Sequence, residues 1–129
     1  MKIPCEIVVW YVLPMVRKEI ARELVNTHGK SQAEVARIFG VTDAAISQYL
    51  KKKRGDNTRI EENEKFPQFM DAIKESATSI ASGKSNFESE MCRLCGVVRS
   101  IGLLNDIYQD QFGETPGFCA NIGQLSIKT

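Results

Sequence analysis

A chain of 129 residues is long enough for one compact core, or for one small domain with an appended element. With 43% hydrophobic and 26% charged residues it is neither a disordered tract nor a membrane-embedded one. The net charge of +1 conceals an asymmetry: residues 1–60 carry 11 Lys/Arg against 6 Asp/Glu, and residues 61–129 carry 6 against 10. A basic half joined to an acidic half suits a protein that meets a polyanion at one end and does something else at the other.

The first predicted element runs from Ile7 to Thr27. Its opening apolar run, Ile7 to Leu13, falls far short of the roughly 20 residues a bilayer requires. Pro4 and Glu6 ahead of that run, a single positive charge at Lys2 and no small-x-small cleavage site argue against a secretory leader. The expectation is a cytoplasmic protein. Trp10, Leu13, Val16, Ile20 and Leu24 recur at helical spacing and predict a buried stripe. Trp10 and Tyr11 are expected in the core, with a subunit interface as the next option. Pro14 removes one backbone hydrogen bond and predicts a kink or a break. His28-Gly29 closes the helix, with the histidine a favourable charge at its C-terminal end rather than a ligand or base.

The segment from Ser31 to Lys51 carries the main functional signal. Ser31 and Glu34 form a capping-box pattern opening a short helix, whose apolar face is Val35, Ala36 and Phe39. Gly40 supplies the left-handed residue that ends it. Val41 is expected to plug the corner, and Thr42 to cap a second helix running through Lys51. Two helices crossing steeply at a short turn need a small residue where they touch, glycine at the turn and a branched apolar anchor on the second helix. Ala36, Gly40 and Ile46 meet those needs at the required separations. At 100° per residue Ile46 and Leu50 share the buried face, while Ala44, Ser47, Gln48 and Lys51 fall opposite, with Ala45 at the flank. That outward face is short and polar. Gln48 has the chemistry to pair with adenine, and Ala44 or Ala45 to touch a thymine methyl. Lys51, Lys52, Lys53 and Arg54 would lie along the phosphates, adding affinity without sequence information. Ser31, Gln32, Thr42 and Asp43, at the openings of the two helices, complete the expected DNA-contacting set.

This segment resembles the helix-turn-helix of the lambda-repressor and Cro group. Across Pro4 to Gly55 the chain is similar to a group of archaeal predicted transcriptional regulators, most clearly in Ile7-Val-Val-Trp-Tyr-Val-Leu-Pro14 and Val41-Thr-Asp-Ala-Ala-Ile-Ser-Gln-Tyr-Leu50. The resemblance implies that the second helix, Thr42 to Lys51, reads the major groove. It extends loosely to Cys92-x-x-Cys95 and Arg99. The chain departs from the group at Leu103-Leu104-Asn105, which has no ligand-type residue, and its next cysteine is Cys119.

Beyond the basic run, Asn57 to Lys65 is charged and reads as a linker, Glu61-Glu62-Asn63-Glu64 included. Phe66-Pro67 predicts a helix start, with Phe69, Met70, Ile73, Ala77, Ile80 and Ala81 as its apolar stripe and Ser82-Gly83 as its end. Ser85 with Glu88 predicts the start of another helix, whose face is Phe87, Met91, Leu94, Val98 and Ile101 up to Gly102. After Tyr108 the chain is expected to be irregular.

Cys5, Cys92, Cys95 and Cys119 are the only cysteines. A reducing cytoplasm disfavours structural disulfides, and four unconnected buried thiols are one reading. The other is a four-thiolate metal site. Cys92 and Cys95 lie three apart on a predicted helix and point the same way, Cys119 follows a Pro-Gly turn, and Cys5 arrives across the fold or from a partner subunit. Structural zinc usually gathers two local pairs, and only one is present. One pair plus two singles amid apolar residues favours a [4Fe–4S] cluster over Zn2+, and the family resemblance leans towards a redox-responsive regulator. The Cys-x-x-Cys as the dithiol of a redox enzyme is a further alternative, though no strand–turn–helix context precedes it, and nothing else points to catalysis.

The expected protein is therefore all-α: a lambda-repressor-like helix-turn-helix domain over residues 1–60, then a small helical cysteine-bearing and dimerising domain over 61–129. It is expected to bind an operator in double-stranded DNA as a homodimer, to sense redox state or iron through the cluster, and to have no membrane association and no enzymatic activity.

Overall fold

The computed structural model describes residues 8–51 and 60–113, and every regular element among them is helical. A π-helical turn, Val8–Val12, runs directly into α1, Leu13–Asn26. Pro14 accounts for the change of pitch. It lies in the first turn of α1, where no partner for its missing N–H is needed. Were the α-helix to continue backwards, the ring would meet the carbonyl four residues earlier; the wider π turn relieves that contact. The chain thus answers the proline by a change of pitch rather than a break.

The wider turn also re-aims the side chains. Val8 and Val12 are buried, whereas Trp10 is 66% exposed. Trp10 is therefore not a core residue, and Tyr11 is only half-buried against the core. From Leu13 onward the period is that of an α-helix, and Met15, Val16, Ile20, Ala21 and Leu24 form its buried face. Lys18 and Glu19 are buried with them.

Two short helices follow, α2 (Gln32–Phe39) and α3 (Asp43–Lys51). Beyond a 3-10 turn at Ile60–Glu62 come α4 (Phe66–Ala81), α5 (Phe87–Ser100) and α6 (Leu103–Phe112). Pro67 occupies the first turn of α4, and Phe69, Ile73 and Ala77 on its stripe are fully buried. The N-cap of α5 is Asn86, not Ser85: the Asn86 side chain accepts from the Ser89 N–H at 2.8 Å. Asn caps as well as Ser, and its extended backbone places the oxygen over the third helical N–H. Ser85 instead hydrogen-bonds Glu90. The last helix continues past Tyr108 to Phe112, burying Leu103, Leu104, Ile107 and Tyr108, so the irregular segment expected after Tyr108 begins later.

The centre of the molecule is α1, which packs most extensively on α4 and also touches α2, α3 and α5. The buried apolar residues of 8–51 and 60–113 belong to one core. The stretch expected to be a solvated linker is partly clamped. Asp106 of α6 accepts from Asn63 Nδ2 at 3.1 Å and pairs with Lys65 Nζ at 2.9 Å. No helix among the described residues is long and apolar enough to cross a membrane.

Candidate nucleic-acid interface

Both halves of the capping box at α2 are present: the Ser31 N–H donates to Glu34 Oε1 and the Glu34 N–H to Ser31 Oγ, each at 3.1 Å. The bond from the Ser31 backbone N–H, and with it the Ser31 side chain, hold the Glu34 carboxyl below its ordinary value. At the other end Gly40 takes φ +70° and ψ +34°, and the Val41 N–H reaches back to the Ala36 carbonyl at 3.0 Å. That is the Schellman closure, and it needs a residue without a Cβ penalty in the left-handed region. Val41 does not plug the corner. It is 38% exposed, whereas Ala36 and Phe39 of α2 and Ile46 of α3 are all buried.

Thr42 caps α3, accepting the Ala45 N–H on Oγ1 at 3.1 Å. Ile46 is fully buried beneath the helix, and Leu50 is half-buried against the core. Outward lie Thr42, Asp43, Ala44, Gln48 and Lys51, all exposed, with Ala45 and Ser47 half-buried at the flanks. Ser31 and Gln32 are also exposed, at the opening of α2. The structure thus leaves every described residue of the expected DNA-contacting set at least partly accessible. Lys52, Lys53 and Arg54 lie outside the described residues.

An aromatic contact foreseen by no sequence pattern joins this pair of helices to the second half of the chain. Phe39, at the end of α2, stacks on Phe87, the first residue of α5, with ring centroids 4.1 Å apart and planes 20° apart. Tyr49 of α3 meets the other aromatic, Phe39, at 6.3 Å and 43°. His28 also bridges the halves, its Nε2 lying 3.5 Å from Thr78 Oγ1 of α4.

Of the four cysteines, two can be placed. Cys92 is exposed and Cys95 half-buried, one helical turn apart on α5. Arg99, one further turn along, donates to Cys95 Sγ. Cys5 and Cys119 lie outside the described residues, and among those described no group of three or more metal-ligating side chains comes together. Two soft donors on one helix face are a partial ligand set, suited in chemistry to thiophilic iron or zinc.

Comparisons with protein-family models, with curated proteins and with solved structures found no match to this chain.

Proposed function

We propose that this chain is a sequence-specific DNA-binding regulator of transcription whose helix-turn-helix is α2–α3, with α3 as the reading helix. The observation that carries the reading is the division of α3 into two faces. Ile46 is fully buried, while Ala44, Gln48 and Lys51 stand in solvent beyond the glycine turn that separates α3 from α2. A face built from short side chains enters a major groove closely, and an amide at its centre reads an adenine edge through two hydrogen bonds. The basic run continuing from Lys51 supplies phosphate contacts, and a two-fold homodimer would set two reading helices about one DNA turn apart. The resemblance to lambda-repressor-like regulators agrees with this reading.

The test is enrichment of binding sites from a random duplex pool, followed by titration of the selected duplex at several salt concentrations. Gln48→Ala is expected to cost about 1–3 kcal/mol and to relax specificity at one position. Lys51→Ala is expected to weaken all duplexes alike and to reduce the salt slope by about one. A pool that yields no enriched sequence would remove the proposal.

The reading extends to the cysteines. Cys92 and Cys95 would offer two thiolates to a [4Fe–4S] cluster completed by Cys5 and Cys119, which would supply sensitivity to oxidants or to iron supply. Iron, sulfide and zinc content of protein purified without oxygen separates this from a structural zinc site.

A further inference from the structure

Three features of α5 bear on what the dithiol can do when no metal engages it. The first is the dithiol. Side chains three apart on a helix have Cβ atoms about 5–6 Å apart, whereas a disulfide needs about 3.5–4.5 Å. Cys92 and Cys95 are therefore near enough to bond, but only if the turn between them tightens. The second is Gly96, next to Cys95 inside the helix. A Cβ built there meets nothing within 4 Å, so packing does not demand glycine at this position. What glycine does there is soften the helix at the turn that must distort. The third is Phe87, the first residue of the helix and five residues before Cys92. At 1.5 Å per residue it lies about 7.5 Å along the axis from Cys92, and its ring is stacked on Phe39 at the end of α2.

We propose that Cys92 and Cys95, when free of metal, form a thiol–disulfide switch whose closure distorts α5 and displaces the Phe87–Phe39 stack, shifting α3 and lowering DNA affinity. The oxidant is a hydroperoxide. The exposed Cys92 thiolate attacks the peroxide oxygen, the O–O bond breaks, and a sulfenic acid and hydroxide result. The Cys95 thiolate then attacks the Cys92 sulfur, forming the S–S bond and expelling a second hydroxide. With the two thiol protons counted, hydrogen peroxide leaves as two waters. Closing the disulfide removes the hydrogen bond that Arg99 donates to Cys95 Sγ in the dithiol. A cellular dithiol reverses the reaction by exchange. The output of this switch rests on the DNA-binding reading; its structural part does not.

The experiment uses the 129-residue chain with Cys5→Ser and Cys119→Ser, so that only the pair can react. The chain is treated with hydrogen peroxide in the presence of a chelator. Intact mass and peptide mapping report the bond, hydrogen exchange over residues 32–51 reports the motif, and titration of the selected duplex reports affinity. The expected result is a Cys92–Cys95 disulfide, altered exchange in α2 and α3, and DNA affinity lower by about tenfold. Phe87→Leu should still form the disulfide while losing both responses. Gly96→Ala should move the thiol–disulfide equilibrium towards the dithiol. A disulfide that leaves exchange over 32–51 unchanged, or thiols that peroxide never joins, overturns the proposal. Altered exchange with no duplex ever enriched supports the switch and removes the DNA-binding reading.

Discussion

The carboxylate of Glu90 is buried where α4 meets α5, and its surroundings determine how the fold responds to acid. Burial opposes its ionisation, but hydrogen bonds with Ser76, Ser85 and Arg93 outweigh that cost and hold its carboxyl below the ordinary 4.5. Arg93 is itself fastened across the helix pair, donating from Nη2 to the Ala72 carbonyl at 3.0 Å and to Ser76 Oγ at 2.6 Å. A carboxyl depressed in the folded state stabilises fully above its unfolded pKa, and that contribution is lost as pH falls through the folded one. Urea midpoints of the wild type should thus decline as pH falls below about 4.5, and Glu90→Gln should flatten part of that decline while lowering stability at neutral pH. An unchanged acid limb in Glu90→Gln would show that the carboxylate is solvated equally in both states. Glu34 has the same sign through its bonds to Ser31, so the limb will not vanish entirely.

At the scale of elements, Trp10 and Ile20 mark what periodicity can and cannot reach. Both belong to one stripe by 3.6-residue counting, yet Ile20 is fully buried and Trp10 is largely in solvent. Truncating Ile20 to alanine should cost about 2–5 kcal/mol, whereas Trp10→Ala should stay within about 0.5 kcal/mol; chemical denaturation of the two variants checks the contrast. Similar costs for both would mean that Trp10 is covered in solution, as at a subunit interface. The stripe misleads because the π turn before Pro14 shifts the phase, and a pattern in the sequence assumes one pitch throughout. Lys18 and Glu19 were illegible for a related reason: charged residues read as solvent-facing, and only tertiary packing around α1 buries them. The ends of α2 were legible because capping is local. Ser31, Glu34 and Gly40 act within one turn of themselves, so residue type and spacing suffice. The Phe39–Phe87 stack joins residues 48 positions apart and leaves no trace in either neighbourhood. Cys92 and Cys95 were found by spacing, but their relation to Cys5 and Cys119 is long-range and belongs to residues outside those described.

At the scale of the whole molecule, charge divides the chain near residue 60 but packing joins it. The basic segment carries α3, whose outer face is proposed to read DNA, and the acidic segment supplies α4 and α5, against which α1 is buried. Val16, Ile20 and Leu24 are fully shielded, and with α1 packed most extensively on α4, removing the second half would return much of that face to water. Each such side chain stabilises by roughly 1.5–3 kcal/mol when buried, so a few of them account for a large share of the 5–15 kcal/mol typical of a whole domain. A fragment of residues 1–60 is therefore expected to show little helical circular dichroism and no cooperative melt, whereas the 129-residue chain should unfold in one transition. Hydrogen exchange of α3 and α5 should then report the same opening free energy in the intact chain. If the fragment folds and melts cooperatively, the halves are independent and α5 has no mechanical hold on α3. If it does not, the surface proposed to meet DNA exists only while the cysteine-bearing half is docked against α1, and whatever alters that half is felt at α3.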